Sequence, residues 1–189
     1  MSKLIFILGG ARSGKSSFAQ SLAERSGKSA TFIATAQALD GEMSTRIKKH
    51  QGDRPADWVT LEIPFNIPEY LQVNPIRTDT VLLDCVTLLV SNLLMRFTQD
   101  DLVDAEKTMQ AVDNEIDQLL SCIAEHEQDW IVISNEVGLG IVPAYQMGRV
   151  YRDLLGKANQ RLARAADEVY WMAAGIAVPI HQYRNKAHP

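Results

Sequence analysis

The chain has 189 residues, 46% hydrophobic and 22% charged, a balance that supports a buried core and excludes disorder over the whole length. Nineteen Lys and Arg against 23 Asp and Glu leave a formal net charge of −4, which argues against a general nucleic-acid binder. The apolar runs are too short for a membrane span, Cys85 and Cys122 are too few for a disulfide scaffold, and Leu4–Leu8 is too short for a signal-peptide core.

Length favours a single domain over residues 1–189, and the expected location is the cytoplasm. Leu4–Leu8 is an apolar run closed by Gly9-Gly10 and reads as a buried strand. Ser16–Arg25 has apolar residues at helical spacing, and Gly27 stops it. Ala30–Ala34 is a second buried strand, Gly41–His50 has a helical pattern, and Trp58–Ile63 is a short strand candidate. Ile67–Val73 follows as a short helix after Pro64, and Val81–Cys85 as a third buried strand carrying Asp84. The spacing predicts helices over Thr87–Phe97 and Asp101–Glu127, a fourth buried strand over Trp130–Ser134 and a loop at Gly138–Pro143. A helix over Ala144–Ala165, with Pro143 near its start, precedes two closing strands, Val169–Ala173 and Ala177–His181, around Gly175. The tail Gln182–Pro189 is expected to fray. Strands that are apolar throughout and alternate with helices imply an α/β fold, a mostly parallel sheet with helices on both faces. Ligands bind at the C-terminal edge of such sheets.

Gly9-Gly10-Ala11-Arg12-Ser13-Gly14-Lys15-Ser16 fits the phosphate-binding pattern G-x-x-x-x-G-K-[ST]. Glycines let backbone N–H groups turn toward phosphate oxygens, and the following helix adds its positive N-terminal end. Lys15 supplies a charge for the outer phosphates, and the Ser16 hydroxyl is a Mg²⁺ ligand. The run follows a strand and opens a helix, as the motif requires, so a nucleoside triphosphate and Mg²⁺ are expected. Asp84, ending an apolar strand, is the second acidic group such a site needs for Mg²⁺, or a cap for the next helix. The guanine-reading motif of regulatory GTPases is missing, since Asn185-Lys186-Ala187-His188 lacks the final Asp, and Asp153-Leu154-Leu155-Gly156 matches their D-x-x-G switch only by letters, inside a helix.

Glu42, Arg46 and His50 recur every four residues and form one stripe on a helix. Spacing alone favours a solvated face with ion pairs over a site. Both cysteines read as core residues, and His126, His181 and His188 as surface ones.

Several blocks, in order, resemble the bifunctional adenosylcobinamide kinase/adenosylcobinamide-phosphate guanylyltransferase family of cobalamin biosynthesis. After the phosphate loop these are Ile33-Ala34-Thr35-Ala36, Asp40-Gly41-Glu42-Met43, Arg46-Ile47-Lys48-Lys49-His50, and Arg54-Pro55 with Trp58 and Glu62. Leu83-Asp84-Cys85-Val86-Thr87 follows, with Ser91-Asn92-Leu93 and Asn135-Glu136-Val137-Gly138-Leu139-Gly140-Ile141-Val142-Pro143. Asn159-Gln160-Arg161-Leu162-Ala163 and Ala166-Asp167-Glu168-Val169 close the series. The resemblance covers roughly residues 3 to 181 and implies a RecA-like P-loop NTPase three-layer sandwich assembled as a homotrimer. It implies phosphorylation of adenosylcobinamide by ATP or GTP, then transfer of GMP from GTP onto that phosphate through a GMP–histidine intermediate. His50 stands at the family's histidine position, so with Lys15 it is the expected catalytic residue. Nucleotide contacts are implied at Gly9, Gly10, Ala11, Arg12, Ser13, Gly14, Lys15 and Ser16, at Ala34, Thr35 and Ala36, at Gln51, Gly52, Asp53 and Arg54, and at Glu62 and Asp84. Arg46 or Arg54 would neutralise the α-phosphate, or pair with a carboxylate such as Glu42 or Asp53. The Asn135–Pro143 loop is expected on the ligand edge, suited to a corrinoid, to a neighbouring subunit, or to a plain structural turn. A small-molecule kinase without guanylyl transfer shares the loop and Asp84 and is the alternative.

Overall fold

The structure is a computed structural model and describes residues 2–37, 41, 52 and 55–184. Its first half runs β1 (Leu4–Gly9), α1 (Lys15–Arg25), β2 (Ala30–Ala34), β3 (Val59–Glu62), α2 (Ile67–Val73), β4 (Thr80–Asp84) and α3 (Val86–Arg96). Then come β5 (Thr98–Gln99), β6 (Leu102–Val103), α4 (Ala105–Glu125), β7 (Asp129–Asn135), α5 (Gln146–Ala165), β8 (Glu168–Ala173), β9 (Ile176–Pro179) and a 3₁₀ turn at Ile180–Tyr183.

Seven strands form one sheet in the order β3-β2-β4-β7-β1-β8-β9. Every neighbouring pair is parallel except β8–β9, so the expected mostly parallel sheet is present. The central strands are buried on both faces, which is why they read as unbroken apolar runs. On one face Ile7, Phe32, Leu82, Ile131 and Ile133 meet Ala19 and Ala23 of α1. On the other, Phe6, Leu83, Trp130 and Val132 pack against Leu89, Ile116, Leu119 and Leu162 of α3, α4 and α5. Each fully buried side chain of this size contributes about 1.5–3 kcal/mol. Three layers result, with the strand C-termini along one edge.

Four expectations need correction. The helix expected from Asp101 begins at Ala105, because residues 98–103 form an antiparallel hairpin. Its turn residues Asp100 and Asp101 both have positive φ, 49° and 62°, which short polar side chains tolerate. Asp104 then caps the helix, its carboxylate accepting the Lys107 N–H at 3.1 Å. The helix expected from Ala144 starts at Gln146, leaving Pro143 outside it. The last strand ends at Pro179 rather than His181 and turns into the 3₁₀ segment. Finally, Arg184 donates to the carbonyl oxygens of Ala166 and Ala163 at the end of α5, so residues 182–184 are tied down.

Candidate active site

Between β1 and α1 the chain turns through Gly10–Gly14, with the Ser13 N–H bonded to the Gly10 carbonyl at 3.3 Å. Glycine is required at both ends of the turn. A Cβ on Gly9 would stand 2.5 Å from the Met172 carbonyl oxygen, and Gly14 has φ 95° with Gly175 Cα 3.2 Å from where its Cβ would sit. The β8–β9 turn thus supports the loop from outside, and the Gly175 N–H donates to the Ser13 carbonyl at 3.0 Å.

Lys15 opens α1 and folds back over the loop. Its ammonium donates to the Gly10 carbonyl at 2.6 Å and to Ser13 Oγ at 3.4 Å. Burial pulls its pKa below the ordinary value, against the opposing pull of its neighbours Cys85 and Asp84. One residue on, Ser16 Oγ donates to Asp84 Oδ2 at 2.8 Å. This contact spans 68 residues and joins the first turn of α1, the helix after β1, to the end of β4, with β7 between those two strands in the sheet. The hydroxyl and the carboxylate are two hard oxygen donors at the exit of the loop, a set that fits Mg²⁺, which takes one or two protein oxygens plus phosphates and water. Among the described residues no group of three or more His, Cys, Asp or Glu is gathered for a metal ion.

Asp84 is held from behind. Thr35, fully buried past the end of β2, donates its hydroxyl to the Cys85 carbonyl and accepts the Cys85 N–H, both at 2.8 Å. The Thr35 N–H reaches the Asp84 carbonyl at 3.2 Å. Asn92, on α3, donates to the Thr35 and Pro64 carbonyls at 2.8 and 2.9 Å, joining the loops that leave β2 and β3. Along the same edge Thr87 Oγ1 accepts the Asn135 N–H at 2.7 Å, and Asn159 donates to the Asn135 carbonyl at 3.0 Å. Burial pushes the Cys85 thiol up to about 12, followed by the adjacent Asp84 carboxylate, so it is not a nucleophile at neutral pH.

Ala34 ends β2 and Ala36 lies two residues beyond it, and Glu62 ends β3 in register with Ala34. Beside Glu62 is a cavity of about 320 Å³ lined also by Ile63, Pro64, Phe65, Asn66, Glu69, Tyr70 and Val73. Arg12 and Gly52 are exposed. His50, Gln51, Asp53 and Arg54 lie outside the described residues, as do Glu42 and Arg46.

The family model described as cobinamide kinase / cobinamide phosphate guanyltransferase matches residues 5–180. The chain belongs to this family. Its relatives include the bifunctional adenosylcobalamin biosynthesis protein CobU of Escherichia coli (strain K12), 39% identical over 180 residues, covering 94% of this chain and 99% of the relative. The Pseudomonas aeruginosa (strain PAO1) protein CobP, also named a bifunctional adenosylcobalamin biosynthesis protein, is 42% identical over 174 residues, covering 92% and 95%. Among solved structures, one titled as a study of PH0250 from Pyrococcus horikoshii OT3 superimposes with a TM-score of 0.53 at 10% identity, covering 94% of this chain and 85% of that one. That likeness concerns the fold alone.

In this cobinamide kinase family member hydrogen bonds join Gly10, Ser13 and Lys15 to one another and Ser16 to Asp84, while Arg12 is exposed. Glu62 stands two strands from Asp84 across the sheet, beyond β2. Sequence reasoning gave no role to Asn92, Thr87 or Asn159. Each stands in one of the blocks that carry the family resemblance, and each is an amide or hydroxyl interrupting an apolar helix face, as Asn159 does beside Ala158 and Leu162. No helix among the described residues is long and apolar enough to cross a membrane.

Proposed function

We propose that this chain phosphorylates the aminopropanol hydroxyl of adenosylcobinamide with ATP or GTP, then transfers GMP from GTP to the new phosphate, releasing pyrophosphate and adenosylcobinamide-GDP. Family membership over residues 5–180 supports both reactions. The observation that carries the reading to this chain is the Ser16–Asp84 contact at 2.8 Å beside the folded-back Lys15. We read residues 1–189 as one nucleotide-binding domain of a cytoplasmic homotrimer.

Lys15 and the loop N–H groups bind the triphosphate and hold charge as it moves onto the leaving oxygen. Ser16 and Asp84 hold Mg²⁺, whose contribution when bound is to neutralise phosphate charge. In the kinase step the hydroxyl oxygen bonds to the γ-phosphorus, its proton passing to solvent, as the bond to the β-bridging oxygen breaks and the nucleoside diphosphate leaves. In the second reaction a neutral His50 imidazole attacks the α-phosphorus of GTP, the bond to the bridging oxygen breaks, and pyrophosphate leaves. An oxygen of adenosylcobinamide phosphate then attacks the same phosphorus and frees the imidazole. Glu62 accepts guanine N–H donors in this reading, and Ala34–Ala36 and Gln51–Arg54 line the nucleotide.

The test is incubation with Mg²⁺ and GTP labelled at the α- or γ-phosphate. The expected product is protein labelled from the α position only, acid-labile and base-stable, and absent in His50→Ala. That variant should retain most γ-phosphate transfer to adenosylcobinamide. Absence of covalent label despite GTP binding would leave only the kinase half of the reading.

A further inference from the structure

The stretch that follows β7 has properties the phosphate chemistry does not use. Residues 137–148 contain no charged side chain, in a chain that is 22% charged. Within them Leu139 is 79% exposed, Ile141 98%, Val142 61% and Tyr145 75%. Isolated exposed apolar residues are ordinary, but four within seven positions of one loop form a patch of the kind that marks a binding surface.

The loop is also held in shape. At its root the Glu136 N–H donates to the Gly9 carbonyl at 3.2 Å, attaching it to the first residue of the phosphate loop. At its far end Arg149 donates one guanidinium nitrogen to the Pro143 and Ala144 carbonyls, at 3.0 and 2.6 Å. Pro143 packs so close to Gly148 that a Cβ there would meet it at 2.8 Å. Backbone and guanidinium hydrogen bonds therefore fix both ends of the loop while its apolar side chains face solvent, and its root is bonded to the phosphate loop at Gly9.

We propose that Leu139, Ile141, Val142 and Tyr145 form the docking surface for the corrin ring of adenosylcobinamide. The proposal rests on the functional reading above and adds the place of its second substrate. The acceptor's reacting hydroxyl must reach the terminal phosphate at the phosphate loop, so the attached macrocycle rests on whatever surface adjoins that loop. A cavity of about 320 Å³ beside Glu62 is at the lower end of drug-sized pockets, and a corrinoid is several times larger. An open, methyl-lined surface suits the methyl groups that, between amide side chains, edge the corrin disc. The alkylated cobalt(III) corrin is a monocation, and the one ionisable group at the root of the loop is the carboxylate of Glu136, with no cation before Arg149.

The test measures KM for adenosylcobinamide and for GTP in the parent, Ile141→Ser and Leu139→Ser, with sedimentation of each. Both positions are solvent-exposed, and circular dichroism checks the fold. The expected result is a rise of about tenfold or more in KM for adenosylcobinamide, with KM for GTP within about twofold and the particle size unchanged. An unchanged KM for adenosylcobinamide in both variants overturns the proposal. Variants that sediment as smaller particles and keep the parent KM show instead a contact between copies of the chain, and also overturn it. A parent that neither binds nor modifies adenosylcobinamide takes down the functional reading itself, a failure visible before any variant is made.

Discussion

The metal role proposed for Asp84 rests on a single charge. Asp84→Asn keeps an acceptor for the Ser16 hydroxyl, now 2.8 Å away, but removes the negative charge that would hold Mg²⁺. Phosphoryl transfer should fall by about 10²–10³, with a rightward shift in the Mg²⁺ titration and little change in melting temperature. An unchanged Mg²⁺ requirement would place the metal elsewhere. Gly9 offers a steric counterpart. A methyl there would lie 2.5 Å from the Met172 backbone oxygen and 2.7 Å from Ser13 Oγ, so the loop must move away from β8. Gly9→Ala should weaken nucleotide binding by tenfold or more in equilibrium titration, the shape of the loop being what aims its N–H groups.

Glu115 shows how one element fixes another. From the middle of α4 its carboxylate accepts the Asn66 and Ile67 N–H groups, both at 2.9 Å, capping α2 across the chain where Asn66 has φ 54°. Glu115→Ala leaves two backbone donors without partners and should cost about 2–3 kcal/mol in urea denaturation. Burial holds this carboxyl above its ordinary 4.5, ahead of the two N–H groups that pull it down. The folded protein therefore keeps the proton to higher pH than the unfolded chain, and this group's contribution to stability falls as pH rises from 4.5 through the folded value. Glu115→Gln should flatten that part of the pH–stability curve. An identical slope in parent and variant would assign the pH dependence to other groups. Such a cap is invisible in the sequence, because Glu115 sits amid the polar residues of an amphipathic helix. Strands β1, β2, β4 and β7 were legible, since burial on both faces leaves unbroken apolar runs. The start of α4 was not: Leu102 and Val103 continue a plausible helical spacing, and only the positive φ of Asp100 and Asp101 turns those residues into a hairpin.

Across the molecule, the phosphate loop was legible because its residues are consecutive, and Asp84 because it ends an apolar strand. The hydrogen-bond partners of Thr35, Asn92, Thr87 and Asn159 escaped because their roles are pairwise and distant: Asn92 acts 57 residues from Thr35 and 28 from Pro64. These links join the ends of β2, β3, β4 and β7 into one edge, so a triphosphate bound there should touch a unit that is lost only on global unfolding. Nucleotide binding should then add to whole-chain stability by mass action. At a hundred times Kd the gain is about 2.7 kcal/mol, which for a chain of this length is a rise of roughly 5–10 °C in Tm. Lys15→Ala should lose most of that rise, since the buried ammonium is the loop's one fixed positive side chain beside Gly10. A GTP that binds by titration yet leaves Tm unmoved would mean that the loop opens independently of the sheet, and that the hydrogen bonds along its edge do not couple it to the core.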